Sequence, residues 1–407
     1  MVRQRVAASL AAALRRETLG RRIAAASLVA PLLLLLLLSF CLPITALLTR
    51  AVYDPTLSGT LPRTAEALRR DNAEVPGDPV FQALADDLRS AQADDSVFNL
   101  ARTLNNRLPA ARSHVTRAVR SFGPSGPVTR DAVVAKDGFW GEPGTWFAIR
   151  QGLGPFTPNY LLAALDLRVL PEGGIGAVPE GQAIYRGIFL RTFAVAATVT
   201  VLTLAMGFPL AWLLATVSPA VASWLIILVL LPFWTSILVR TASWTVLLQR
   251  YGVLNDVLLW LGVTTDRLEL MYSRTGMLIA MTHIQLPFTL LPIYSVMRTI
   301  DPAQMRAAAS LGARPLAGFL RVYLPQVAPG VAAGCLLTFI LCLGYFITPA
   351  LVGGPRDQLI SGFIADYINV ELNWQMAAAL SCVLLLATMA LYAVFARLLG
   401  VDRLKLG

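Results

Sequence analysis

Side chains able to do covalent or metal chemistry are few in this chain and widely spaced. The two histidines, His114 and His283, lie far apart and are expected in different compartments. The four cysteines, Cys41, Cys335, Cys342 and Cys382, fall in long apolar stretches without metal-ligand spacing, and apolar packing is the reading they support. Only two lysines occur, Lys136 and Lys405, and neither follows a glycine, which excludes a Walker A phosphate loop. No HExxH, GxSxG, CxxC or EF-hand pattern is present. The sequence therefore assigns no catalytic residue, no metal site and no cofactor.

Polar groups inside apolar stretches say more. A charge in an apolar zone is costly and faces a cavity, a partner or the interface. Arg240 is such a charge, open to a pathway role and to a structural one. His283 and Gln285 precede Pro287, and a proline can break a membrane helix and free carbonyls to line a cavity. A His hydrogen-bonded to a neighbouring helix is the commoner case, and the favoured one. Trp234, within Pro232-Phe-Trp-Thr-Ser236, can stack on a cation or pack in the bilayer, and that run predicts an interrupted helix. Asp357, Asp366 and Glu371 share a predicted loop, 353–373, with Tyr367 and lie beside Trp374. Acids and aromatics suit an organic cation; they also suit a solvated loop, which is the favoured reading.

The elements that must hold these groups are membrane spans. Of 407 residues, 56% are hydrophobic and only 14% charged, against about 25% charged in a soluble domain. Charge-free runs cover Ile23–Thr49, Thr192–Val239, Thr275–Met297, Val322–Pro355 and Leu372–Ala396. A span needs roughly 20 apolar residues. The second run holds two, divided at Ser218-Pro219. Six spans follow, near 24–48, 191–216, 222–248, 276–298, 329–352 and 374–397. The first is too long for a cleavable signal and reads as an anchor.

Charge sets the orientation. Residues 1–23, the loop between spans four and five, and the tail after span six hold 13 basic and 3 acidic residues, the whole of the +10 net charge. Both termini are expected in the cytoplasm. The basic excess is a topology signal and implies no nucleic acid. Residues 49–189 balance 15 basic against 15 acidic and form an extracytoplasmic insertion. They lack strand alternation and predict short helices over 62–72, 79–92, 96–108 and 109–122, with Phe81, Leu84 and Leu88 on one apolar face. Gly/Pro-rich stretches at 123–127, 138–144, 152–158 and 171–181, interleaved with aromatics such as Trp140 and Trp146, are expected as loops lining the underside of a helical cap. The fold class is an all-α membrane protein: segment 1–23, span 24–48, insertion 49–189, a five-helix core 190–398 and a tail 399–407.

The loop 299–329 between spans four and five predicts two short helices. Asp301 caps the first, Pro302 opens it and Gly312 ends it. Ala307, Ala308 and Ala309 keep it slim enough for a groove on another protein. The second is expected from Pro315 to just before Pro325. The run Ala307-Ala308-x-x-x-Gly312, then Leu324-Pro325 and Pro329-Gly330, resembles the coupling loop of permeases of binding-protein-dependent ABC importers. The resemblance extends over about 220 residues, from span two to the C-terminus. Leu231 to Thr241, Gly252 to Asn255, Leu286 to Phe288 and Gly344 to Gly354 look like the spermidine/putrescine branch. One departure stands out: the family places an acid directly before the paired alanines, and Arg306 stands there.

The resemblance implies a permease subunit, not an enzyme, in the bacterial inner membrane. It would work with separate ATPase subunits, a periplasmic binding protein and a second, different permease. Asp301, Arg306, Ala307, Ala308, Gly312, Leu324 and Pro325 would meet the ATPase. Trp234, Arg240, His283, Asp366 and Trp374 are the pathway candidates, with Arg240 favoured as structural because it would repel a cation. The implied substrate is a polyamine; thiamine, ferric iron, an amino-acid derivative or an aminophosphonate are alternatives. A secondary transporter would call for intramembrane carboxylates, and the predicted spans contain none. A membrane-anchored sensor would need a cytoplasmic output domain longer than the tail.

Overall fold

The computed structural model describes residues 27–108, 110–123 and 125–398. The expected N-terminal segment 1–23, the first residues of span one, Pro109 and the tail 399–407 lie outside the described residues.

Apolar sequence without internal charge folds into long helices, because in a bilayer only a helix satisfies its own backbone. The first, α1, spans Ser27–Thr49. A helical region follows: α2 (Thr56–Thr60), α3 (Pro62–Arg70), α4 (Asp78–Ala93), α5 (Val97–Asn105), α6 (Ala111–Ser121), α7 (Arg130–Lys136), α8 (Pro143–Gly152) and α9 (Asn159–Ala164). The hairpin β1 (Leu167–Val169) and β2 (Ile175–Ala177) leads to α10, Tyr185–Thr216. Next come α11 (Pro219–Leu230), α12 (Ile237–Leu247), α13 (Val253–Trp260) and α14 (Arg274–Met297). Then follow α15 (Pro302–Ser310), α16 (Pro315–Leu343), α17 (Ile347–Val352), α18 (Ile360–Asn369) and α19 (Trp374–Leu398).

Five helices, α1, α10, α14, α16 and α19, are long and apolar enough to cross a membrane. The sixth expected span, 222–248, is not one straight helix. Pro219–Trp234 and Ile237–Leu247 meet at 98°. The interruption falls at Pro232–Ser236, where a 3-10 turn runs into extended Thr235 and the Ser236 hydroxyl caps α12. Pro287 and Pro292, in contrast, sit within a continuous α14, so the break considered at Pro287 does not occur.

Helix α14 is the most buried span and lies between α10 and α16. Small residues permit that packing. A Cβ on Gly334 would lie 2.5 Å from the Thr289 carbonyl oxygen, and one on Gly330 would lie 2.9 Å from that of Pro292. Thr203, Thr289 and Thr338, all fully buried, join the three helices through hydroxyl contacts of 2.8 and 2.6 Å. By contrast, α1 buries none of its apolar window in the protein.

The expectation of a span at 329–352 preceded by a separate short helix needs correction. Helix runs without a stop from Pro315 to Leu343, and Gly344–Phe346 then divide it from α17. A π-turn at Phe319–Tyr323 widens the helix just before Pro325, so the proline is carried within the helix without ending it. The expected loop 353–373 is likewise mostly structured, with a 3-10 turn at Pro355–Asp357 followed by α18.

Between α1 and α10 the predicted helices appear with bounds shifted by a few residues. Phe81, Leu84 and Leu88 share a core with Leu57, Leu104 and Ile149. Two expectations fail there. Trp140 and Trp146 are fully buried in that core instead of lining loops, with the Trp146 indole N–H donating to the Trp140 carbonyl at 2.8 Å. The proline of 138–144 opens α8 rather than prolonging a loop, because proline suits a first helical turn. The hairpin β1–β2 was also not expected. It turns through Gly173 and Gly174, at φ +89° and +91°, which glycine adopts freely.

Candidate coupling loop and transport pathway

Helix α15 forms as its sequence dictates. The Asp301 carboxylate accepts the Ala303 backbone N–H at 2.8 Å, satisfying a donor the helix leaves free. Pro302 takes the first turn, and Gly312 leaves the helix at φ +83°. Arg306 and Ala307 are exposed, Ala308 is half-buried, and Leu311 is 89% exposed. Leu316, at the start of α16, is also exposed. The site thus offers a short helix with a small-residue face and two unburied leucines.

That helix is tied to α16. Gly318 lies under Met305 and Ala308, so a Cβ there would meet the Met305 methyl at 3.3 Å. The Gln326 side-chain amide donates to the Gln304 side-chain Oε1 at 2.6 Å. Leu324 and Pro325 lie on α16 beyond the π-turn, not on a separate hairpin. Contacts thus run from α15 to α16 and, at Gly330 and Gly334, from α16 to the backbone of α14.

Three pathway candidates gather at the bend between α11 and α12. The Arg240 guanidinium lies 5.0 Å from the Phe233 ring centre and donates to the Thr235 carbonyl at 3.2 Å. Phe233 meets Phe288 of α14 edge-on at 5.0 Å. The Trp244 indole N–H donates to His283 Nδ1 at 3.2 Å. His283 thus packs one helix against another, and Arg240 ties down the bend. Trp234, the last residue of the 3-10 turn at the bend, is 86% exposed.

Asp366 and Trp374 belong to another region, the corner of α18 and α19. Asp366 is exposed, and the Arg50 guanidinium lies 5.5 Å from the Trp374 ring centre. Asp357 pairs with Arg274 at 2.9 Å. Sequence reasoning missed the hydroxyl contacts: the threonine triad, and Thr241 with Thr348 at 3.2 Å. It also did not find that Gln285 is buried with an unpartnered Oε1. Their signal was available as threonines and glutamine in charge-free runs. Among the described residues no group of three or more His, Cys, Asp or Glu could hold a metal ion.

No protein-family model matches the chain. The spermidine/putrescine transport system permease protein PotB of Escherichia coli is 34% identical over 202 residues, covering 49% of this chain and 73% of that protein. The inner membrane ABC transporter permease protein YdcU of Escherichia coli is 36% identical over 225 residues, covering 52% of this chain and 71% of that one. A solved bacterial alginate ABC transporter in complex with an alginate pentasaccharide-bound periplasmic protein superposes with a TM-score of 0.44 at 18% identity, over 52% of this chain and 77% of that one. With such identity across more than two thirds of two permeases, this multi-pass membrane protein belongs to the ABC transporter permease family that includes the spermidine/putrescine permeases.

Proposed function

We propose that this chain is the membrane-spanning subunit of an ATP-driven importer in the inner membrane, moving polyamines into the cytoplasm. Substrate arrives on a periplasmic binding protein. Separate ATPase subunits hydrolyse ATP on the other side, and this chain performs no covalent chemistry. A second, different permease completes the pathway. Both termini and α15 face the cytoplasm, and residues 49–189 face the periplasm, as the distribution of arginines favours.

The observation that carries the reading is the union of α15 and α16. A capped, glycine-terminated helix with an alanine face and an exposed leucine suits a cleft on another subunit, and its tie to a long span gives closure below a route into the membrane. ATP-driven closure of the ATPases would move α15, α16 would carry that motion to α14, and the bent α11–α12 pair would open or shut the pathway. The substrate class rests on likeness to the named permeases. Arg240, held by Phe233 and Thr235, acts as a fixed brace and not as a substrate ligand.

Two measurements test this. Mass spectrometry of what co-purifies with the detergent-solubilised chain should find an ATPase, a binding protein and a second permease. Proteoliposomes of that assembly should take up labelled spermidine or putrescine only with ATP. Uptake driven by an ion gradient without any ATPase would overturn the importer reading. ATP-driven uptake of another solute, with no response to polyamines, would overturn only the substrate.

A further inference from the structure

At the end of the bundle where α10 and α14 begin, two arginines converge. Arg191 donates through Nε to the Gln358 carbonyl at 3.0 Å, and Arg274 donates through Nε to Asp357 at 2.9 Å. Their anchors are consecutive residues, so the guanidinium groups sit side by side, each within reach of the other's charge. Asp357 is the one acid that pairs with them among the described residues, leaving one positive charge uncompensated. The terminal nitrogens of both arginines have no hydrogen-bond partner among the described residues.

Below them lies a cavity of about 410 Å³ between α10 and α14. Its lining changes with depth. Ala194 and Leu278 lie about one turn beyond the arginines, and Thr198 lies a further turn along α10. The Thr198 hydroxyl is spent on the Ala194 carbonyl at 2.8 Å, so it presents its methyl. Leu190, beside Arg191, is 73% exposed. The slot is cationic at its mouth and apolar along the spans.

We propose that this slot binds one anionic phospholipid, its phosphate on Arg191 and Arg274 and an acyl chain along Ala194, Leu278 and Thr198. Guanidinium forks match phosphate oxygens. Both arginines stand at the periplasmic end of their helices, at headgroup level of the outer leaflet, and their free guanidinium nitrogens can donate to a lipid phosphate there. A free phosphate would use the mouth but not the apolar slot. The inference rests on the membrane placement of α10 and α14 and not on the transported solute.

Native mass spectrometry tests it on the full chain, delipidated in detergent and titrated with phosphatidylglycerol or phosphatidylcholine. Wild type should bind one phosphatidylglycerol about tenfold tighter than phosphatidylcholine. The double variant R191Q/R274Q should lose that preference. Ala194→Trp, which fills the slot and keeps both charges, should lose it too, and so decides the matter should the double variant not fold. Millimolar inorganic phosphate should not displace the lipid. Persistence of the preference in both variants would overturn the proposal. Displacement by inorganic phosphate would identify a free-anion site instead. A wild type that binds no phosphatidylglycerol, alongside a double variant that sheds a co-purifying permease, would make the slot a subunit contact.

Discussion

Arg306 projects from α15 into solvent, directly before the paired alanines Ala307 and Ala308. A partner that meets this arginine needs the opposite charge there. Arg306→Glu should therefore weaken retention of the ATPase about fivefold at low salt, the scale of an exposed ion pair, with the loss shrinking as salt rises. Stronger retention by the variant would mean that the partner surface is basic and that packing alone has carried the contact. Asp71 offers a different single-residue test. Its carboxylate accepts the Gly77 and Ala73 backbone N–H groups at 2.8 and 2.9 Å. Those bonds, Gly77's first, with a smaller contribution from Arg150, hold its carboxyl below the usual carboxylate range. A depressed folded-state value stabilises above the unfolded-state value, and the gain is lost as pH falls through the folded one. Asp71→Ala should lower the thermal midpoint at pH 7, and its gap from wild type should close under strongly acidic conditions. A gap that stays constant with pH would assign the effect to geometry and not to charge.

Continuity of α16 decides whether motion of α15 can travel. The π-turn at Phe319–Tyr323 keeps Pro325 from ending the helix, and Phe319 stacks on Tyr323 at 5.7 Å to hold that turn. Replacing Leu320 and Arg321 by glycines should leave the ATPase bound but lower transport per ATP hydrolysed, since each glycine weakens the helix by roughly 1 kcal/mol. Unchanged stoichiometry in reconstituted vesicles would count against α16 as the lever. Deeper along the same helix, Gly334→Val would press a side chain on the Thr289 carbonyl, and overpacking of this kind costs about 1–3 kcal/mol, readable as a lower melting temperature. These elements also show what sequence can carry. Charge-free length sufficed for the straight spans, and Asp301 and Gly312 marked the ends of α15 because capping is local. The run from Pro315 through Pro325 misled, because a proline reads as a stop unless a wider turn before it is known. The gathering of Arg240, His283 and Phe233 was not legible, since contact between the bent pair and α14 depends on an angle that no local rule supplies.

At the scale of the whole molecule, two buried carboxylates join the helical region between α1 and α10 to the membrane bundle. Asp166 accepts the backbone N–H groups of Ile184, Tyr185 and Arg186 at 3.0, 3.0 and 2.7 Å, and so caps α10 from outside it. Asp54 accepts the Tyr160 hydroxyl at 2.7 Å, receives Gln375 of α19 at 3.4 Å and pairs with buried Arg107 at 3.5 Å. Burial, and then the charge of Asp54, pushes the Tyr160 hydroxyl well above its usual value, so it stays protonated and keeps donating. Around them Ala51, Ala164, Ile188, Ile360 and Met376 close an apolar seam. The seam makes the orientation of the helical region a property of the bundle and not of a loose tether. Asp54→Ala would leave Arg107 buried without its counter-charge, a loss of about 3–5 kcal/mol concentrated at the seam. Phe81→Ala would remove a comparable amount, about 3–5 kcal/mol, from the core inside the region. The two should therefore fail differently under limited proteolysis. The Asp54 variant should be cut first near the chain crossings at 50–55 and 178–184 with α4 still protected, and the Phe81 variant should be cut within α4 and α5 with the crossings intact. Identical cleavage maps would mean that seam and core unfold as one unit, and the helical region could then move only with the spans beneath it.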